Sequence, residues 1–356
     1  MTDDTSSARK RPWAPAVATG VGSMPGTSAH EAMRIVAGEL PDFVHVVELP
    51  ARGPGADMVG RTGALLAAVD PSFALETTPD GWRLAGSPGR QMRRAQSWLA
   101  EDLDALEEST QGYAGPLKVQ VCGPWTFAAS VELAGGERML RDEGAVRDLA
   151  QALAEAVRMH AHDVRHRVPA ATVVVQVDEP ALPAVLAGRI GTASGLSTYR
   201  AVGELDAQRV LREVLDSLDG DVGVHCCAAD APLDLLRASG AAFVGIDLLV
   251  AGRALDEQVG RAVDAGLGVL AGCLPSTGSG RVADSAASAP LRHLLHRLGL
   301  EDPSWLSAFA ITPACGLAGA DPAWARTALA ACRAVGRVVR QDEDHAQARD
   351  GSGGDR

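Results

Sequence analysis

Eight short runs of β-branched and apolar residues, each bounded by Gly or Pro, punctuate this chain and are separated by longer stretches rich in Ala, Leu, Arg and Glu. The runs are ATGVGSMP from Ala18, FVHVVELP from Phe43, LKVQVCGP from Leu117, TVVVQVDEP from Thr172, DVGVHCCA from Asp221, AAFVGIDLL from Ala241, LGVLAGCLP from Leu267 and FAITPACG from Phe309. Strand-like runs alternating with helical stretches are the mark of repeated βα units, and eight such units close a TIM barrel. Helical periodicity falls in the gaps at Ala29 to Leu40, Gln91 to Glu108, Ala145 to Arg167, Ala207 to Leu218, Pro232 to Ser239, Leu255 to Ala265 and Pro322 to Val338. The expected fold is therefore an α/β (β/α)8 barrel. About 65 residues separate the second run from the third, so hairpins or extra helices are expected as insertions between the early strands. A doubly wound open sheet would need a glycine-rich phosphate turn after its first strand, and GVGSMPG does not supply GxGxxG.

One domain can hold all of this, since 356 residues with 46% hydrophobic and 22% charged side chains suffice for a large single core. We expect the barrel over residues 15–339, with polar tails at 1–14 and 340–356 left mobile. A formal charge of -12 repels phosphate backbones and anionic lipid, which argues against nucleic acid and membrane partners. The first residues carry no apolar signal-like segment and no run is long enough to span a bilayer, so a soluble cytoplasmic protein is expected. Six cysteines are too few for a disulfide scaffold and point to metal binding or buried thiols.

Polar and metal-ligating residues gather at the carboxyl ends of the expected strands, where TIM barrels place their active sites. Ser23, Glu48, Cys122, Asp178, Glu179, His225, Cys227, Asp247, Cys273 and Cys315 all fall there. Within DVGVHCCA, His225 and Cys227 are two apart, so on a strand both point to one face and Cys226 to the other. Asp247 ends the next run and Cys315 the last, so a closed barrel turns all four toward one rim. Imidazole, two thiolates and a carboxylate make a reasonable tetrahedral Zn²⁺ set. The alternative for His225 and Cys227 is a hydrogen-bonded core histidine beside a buried thiol. His160, His162 and His166 sit among charged neighbours and read as a solvated helix face. Trp125, just after CGP, is placed to stack on a flat ring or simply to pack in the core.

VHCC at 224–227, GID at 245–247 and TPACGL at 312–317 resemble the zinc-site framework of the cobalamin-independent methionine synthase family. VQVDEPAL at 175–182 is similar to that family's substrate strand, and GSMP at 22–25 to its opening GSxP turn. The motifs follow the family's order over residues 20–317 and cover its C-terminal catalytic barrel alone, the single-domain form. The resemblance implies His225, Cys227 and Cys315 as zinc ligands, with Asp247 where the family usually has glutamate, or with Cys273 or water completing the site. It further implies that Ser23 binds an amino-acid carboxylate and Asp178 its ammonium group, with no catalytic residue beyond the metal site. Glu179 has the opposite strand parity to Asp178 and is either a supporting substrate contact or a salt bridge or helix-facing hydrogen bond behind the barrel, and Trp125 is a further substrate-contact candidate from its place at a strand end. After DMV the family has another glutamate, and Gly60 stands there in this chain.

The implied reaction moves a methyl group from methyltetrahydrofolate, or a related carrier, to the thiol of homocysteine to give methionine. Two other readings stand beside it, a second enzyme and a protein of a different class. A uroporphyrinogen decarboxylase or corrinoid-methyltransferase type of barrel would line its rim with arginines, whereas Cys and His stand here. A non-catalytic zinc-binding barrel is favoured by Gly60 and Asp247.

Overall fold

The structure, a computed structural model, describes residues 11–350 apart from 80 and 301. Eight strands form one parallel sheet: β1 (Val17–Ala18), β2 (Val44–His45), β3 (Pro116–Cys122), β4 (Thr172–Asp178), β5 (Asp221–His225), β6 (Phe243–Asp247), β7 (Gly268–Leu274) and β8 (Phe309–Pro313). Their order is β1-β8-β7-β6-β5-β4-β3-β2, so each strand lies beside its sequence neighbour and β1 also beside the last. Between β1 and β2 the seam continues beyond the strands. The Met24 N–H donates to Glu48 O at 2.8 Å and the Glu48 N–H to Gly22 O at 3.3 Å, a parallel bridge at Ser23 and Glu48 that closes the ring. The fold is the expected TIM-type barrel.

The long gap between β2 and β3 holds helix Met58–Val69, the hairpin Leu75–Thr78 with Gly81–Leu84, and helix Arg90–Ser109. The hairpin's second strand pairs with Val131–Glu132, which ties the insertion to the segment after β3. Helices Met58–Val69 and Asp284–Leu298 are not among those read from the sequence. The first contains Gly60 and Gly63, and the second Pro290 near its middle, residues that lower helix propensity until tertiary packing overrides it.

Strand alternation splits the interior into two cores. The larger lies between the sheet and the surrounding helices. The smaller gathers Val17, Val174, Phe243, Leu270 and Ala310 from five different strands and Phe43 from just before β2, so it fills the amino-terminal end of the lumen. Trp13 plugs that end, its ring 5.6 Å from Phe43 in a stacked pair and 5.5 Å from Phe243 edge-on. Residues 11–14 are thus no tail, because burying an indole against two rings outweighs the freedom of a short polar segment. Residues 340–350, also expected as tail, continue helix Pro322–Asp350. The expected tail segments 1–10 and 351–356 lie outside the described residues.

Above the apolar plug the lumen turns polar. Lys118 is fully buried, and its Nζ donates to Val21 O at 2.6 Å and Gln176 Oε1 at 2.7 Å. Gln176 Nε2 donates in turn to Asp178 Oδ1 at 2.7 Å. One strand pair therefore carries a hydrogen-bond chain from mid-barrel to the carboxyl end. No helix among the described residues is long and apolar enough to cross a membrane.

Candidate metal centre

β5 ends at His225, and the chain stays extended into Cys226, whose N–H donates to Gly245 O at 2.9 Å. Alternation then turns His225 and Cys227 to the lumen side and Cys226 to the helices, where burial pushes its thiol up to about 12. Cys315 follows β8. Nitrogen of His225 and the sulfurs of Cys227 and Cys315 lie within 4.8 Å of one another, the one such His/Cys/Asp/Glu group found among the described residues. Residues 90 positions apart meet because the barrel folds their strand ends onto one rim.

The donor set suits a tetrahedral soft cation. The Cys227 and Cys315 sulfurs are 3.7 Å apart, and two thiolates on one tetrahedral zinc at ~2.3 Å each would stand about 3.8 Å apart. His225 Nε2 is buried with no hydrogen-bond partner, a costly state unless something accepts its lone pair. Within the pair the Cys315 thiol is drawn well below the ordinary range, chiefly by the hydrogen bond with Cys227 and then by His225. Cys227 is held above it, since removing a second proton sets two thiolates side by side. Gly245 makes room for the imidazole: a Cβ there would sit 2.7 Å from His225 Nδ1.

Asp247 ends β6 next to this group but does not join it. Its Oδ1 accepts from the Leu249 N–H at 2.7 Å, and burial raises its pKa. A short Asp side chain closes on its own turn, as this residue type commonly does. Cys273 lies outside the group as well. Its thiol meets the Leu291 backbone and the Cys332 side of the helix layer, and burial lifts it to about 12.

Ser23 reaches the same rim, because a Cβ on Gly316 would come within 2.0 Å of its Oγ and the Leu317 N–H donates to Ser23 O at 2.8 Å. The GSMP turn and the ACGL turn are therefore in direct contact. Asp178 is buried and pushed up to about 6 by that burial, against the pull of His225 and Lys118. Glu48, paired with Ser23 across the seam, is a second buried carboxylate that the sequence reading left without a role. Burial raises it to about 7, against the pull of Arg61 and with a further push from Asp178. Arg61 Nε stands 3.8 Å from Glu48 Oε1, and its Nη1 is bonded to Asp102, which also takes Arg52 at 2.9 Å. The signal for Glu48 was its position at the end of the second run.

Glu179 does not face the site. Both carboxylate oxygens are spent behind the barrel on the first turn of helix Pro124–Ser130, accepting from the Trp125 N–H at 2.9 Å, the Thr126 N–H at 2.8 Å and the Thr126 hydroxyl at 2.7 Å. Its parity, opposite to Asp178, dictates this, and the expected substrate contact gives way to a helix cap. Trp125 also turns outward. Its Nε1 donates to Ala207 O at 3.1 Å, and its ring lines a cavity between two outer helices. At Gly60 a Cβ would lie 2.5 Å from Gly55 Cα and 2.8 Å from the Trp82 ring, so the packing itself excludes a glutamate. On helix Glu143–Arg167, His160 is buried rather than solvated and pushed down to about 4 by that burial, while His162 and His166 are not buried.

A family model described as the catalytic domain of cobalamin-independent synthase matches residues 16–337. Among solved structures, a B12-independent methionine synthase from Shewanella sp. W3-18-1, in complex with selenomethionine, aligns with 92% of this chain and 99% of its own at 14% identity and a TM-score of 0.60. A 2,3-dimethylmalate lyase of the PEP mutase/isocitrate lyase superfamily aligns with 92% of this chain and 100% of its own at 12% identity and a TM-score of 0.33. Xylanase B from Clostridium stercorarium F9 aligns with 82% of this chain and 89% of its own at 12% identity and 0.34. At such identities the first speaks for the fold, and the other two carry no argument. No curated protein matches the chain.

Proposed function

The chain belongs to the cobalamin-independent methionine synthase family, as its catalytic domain, and from that premise we propose that it transfers a methyl group from methyltetrahydrofolate or a related carrier to the thiol of homocysteine, with Zn²⁺ as cofactor. The observation that carries the reading is the group of His225, Cys227 and Cys315 at the carboxyl end of the barrel, with sulfurs at the spacing of a shared tetrahedral ion.

His225, Cys227 and Cys315 would hold the metal, and Asp247 would supply the fourth donor once its carboxylate leaves the Leu249 amide. When bound, Zn²⁺ supplies acidification of an incoming thiol, which at a free pKa near 8.5 is otherwise mostly unreactive at neutral pH. The remaining work is positioning. Ser23 offers a hydroxyl to the amino acid's carboxylate. Asp178 and Glu48 offer two carboxylates to its ammonium group, an exchange that suits them because an entering cation relieves the cost of ionising both in a buried place. Lys118 and Gln176 hold Asp178 from below, so its oxygens are fixed before substrate arrives. Fixing sulfur against a donor carbon removes several kcal/mol of entropic barrier.

Purified zinc-loaded protein, given homocysteine and a panel of methyl donors that includes methyltetrahydrofolate and methylcobalamin, should form methionine with at least one of them, and a Cys227→Ser variant should not. Zinc binding without methionine from any donor would identify a non-catalytic metal-binding barrel instead.

A further inference from the structure

Glu48 reaches the barrel mouth from the seam at Ser23 and is 5% exposed. Among the described residues its carboxylate takes no hydrogen bond and has one ion-pair partner, Arg61. A buried carboxylate so poorly served costs free energy until a donor meets it. Helix Met58–Val69 brings Arg61 to that place, and the start of the helix is fixed twice. Asp57 caps it by accepting from the Gly60 N–H at 3.0 Å, and Thr62 Oγ1 accepts from the Cys122 N–H at 2.9 Å, which pins the first turns to the end of β3. Arg61 lies between these two anchors and is itself buried.

The guanidinium is shared by two carboxylates. Its Nε stands 3.8 Å from Glu48 Oε1, and its Nη1 bonds to Asp102, a wholly buried residue of helix Arg90–Ser109. Asp102 is held in turn by Arg52 Nη1 at 2.9 Å, and Arg52 Nη2 reaches Glu101 at 2.9 Å. A buried chain of charges seldom adds stability over apolar side chains of the same volume, so its presence calls for another task. The planar fork supplies one: with Nη1 locked on Asp102, the Nε edge is aimed at Glu48. Four charged groups from four elements face Glu48: Arg61 and Asp102 on the inserted helices, Lys118 on β3 and Asp178 on β4. Arg61 opposes the effect of burial there more strongly than Lys118 does. Arg61 also faces His160 on helix Glu143–Arg167, which burial and then this cation keep neutral, at about 4.

We propose that Arg61 is a positioning residue for the substrate's ammonium group: anchored on Asp102, it holds the Glu48 carboxylate in place and charged at the mouth of the barrel. The inference rests on the homocysteine reading, and one arm of its test needs no substrate. In that arm, urea unfolding of metal-free protein is followed from about pH 4 to about pH 9, with each variant measured with and without Glu48→Gln, so that the difference belongs to Glu48. The stability lost through Glu48 accumulates from its unfolded pKa up to its folded one, and in the parent should level off near pH 7. In Arg61→Met it should level off at least about one pH unit higher. In Asp102→Asn it should level off lower, because one anion is gone and the guanidinium is released to Glu48. A merely structural role would not drive two neighbouring substitutions in opposite directions. Arg61→Lys, which keeps the cation, should return toward the parent. If Arg61→Met alone does not fold, the neutral pair Arg61→Met with Asp102→Asn should still show the upward shift. In the second arm, homocysteine kinetics of the zinc-loaded protein, the pH at which KM falls should move the same way in each variant with kcat little changed, and Glu48→Gln should abolish the movement. Curves for Arg61→Met and Asp102→Asn that level off where the parent does, or that shift in the same direction, would overturn the proposal. Opposite shifts in unfolding beside a parent that makes no methionine from any donor would refute the homocysteine reading and not the coupling of Arg61 to Glu48.

Discussion

Replacing Gly245 by alanine adds one methyl group and should disable the metal site without touching any ligand. The new Cβ would stand 2.7 Å from His225 Nδ1, whereas ordinary contact begins near 3.4 Å, so the ring must retreat by about 0.7 Å. Gly245 lies within β6, registered against His225 on β5 and Leu270 on β7, so its own backbone has little room to yield. Metal–ligand distances tolerate only ~0.2 Å. Displacing one ligand by several times that margin should lower zinc affinity about 10- to 100-fold, the loss typical when a ligand's support is disturbed. Overpacking should also cost the metal-free protein about 1–3 kcal/mol. Competition with a chromophoric chelator measures the first effect, and denaturant unfolding of the chelated protein the second. A Gly245→Ala protein that binds zinc as tightly as the parent would refute the view that the imidazole is held against this strand as a ligand.

Other consequences follow from the carboxylates and the lumen. Glu48 has its pKa raised to about 7, so its ionised form, the one able to pair with an ammonium group, grows as pH rises from 6 to 8. Homocysteine KM should fall over that interval, and Glu48→Gln should flatten the change while raising KM about tenfold at pH 8. The sign for stability is opposite: a carboxyl raised by burial contributes stability at pH values below its unfolded value, and that contribution is lost as pH climbs through 7. The metal-free parent should therefore lose stability between pH 5 and 8 more steeply than Glu48→Gln, as followed by urea unfolding. Glu179→Ala strips three donors of their acceptor at the start of helix Pro124–Ser130 and should cost about 1–3 kcal/mol with zinc stoichiometry unchanged. A loss of zinc with no loss of stability would return Glu179 to the site. Trp13→Ala empties the amino-terminal plug of the lumen and should cost about 3–5 kcal/mol in the same assay; a neutral result would mean that the segment before β1 is not docked.

The barrel was legible because each βα unit writes its own punctuation: each of the eight runs meets a strand of the sheet in the expected order, the first only at Ala18, since β1 is Val17–Ala18. Parity alone separated His225 and Cys227 from Cys226, and strand-end position alone brought Cys315 to them. Parity also set Glu179 opposite Asp178, and of its two readings the structure takes the one behind the barrel. What failed to show were features set by partners far along the chain. Trp13 looked like tail because its plugging partners, Phe43 and Phe243, are 30 and 230 residues away. Glu48 lacked a role until the seam at Ser23 put it beside Asp178. Trp125 follows a strand end, yet its indole found Ala207 on an outer helix. Asp247 is at the right strand end, but a short carboxylate has a local competitor in the amide two residues on.

Zinc K-edge X-ray absorption of the purified, metal-loaded protein tests the shared ion most directly. Two sulfur neighbours near ~2.3 Å and an imidazole nitrogen near ~2.0–2.1 Å are expected, with one sulfur lost in Cys227→Ser and one in Cys315→Ser. A first shell of oxygen and nitrogen alone, or a spectrum unchanged by both substitutions, would contradict the account.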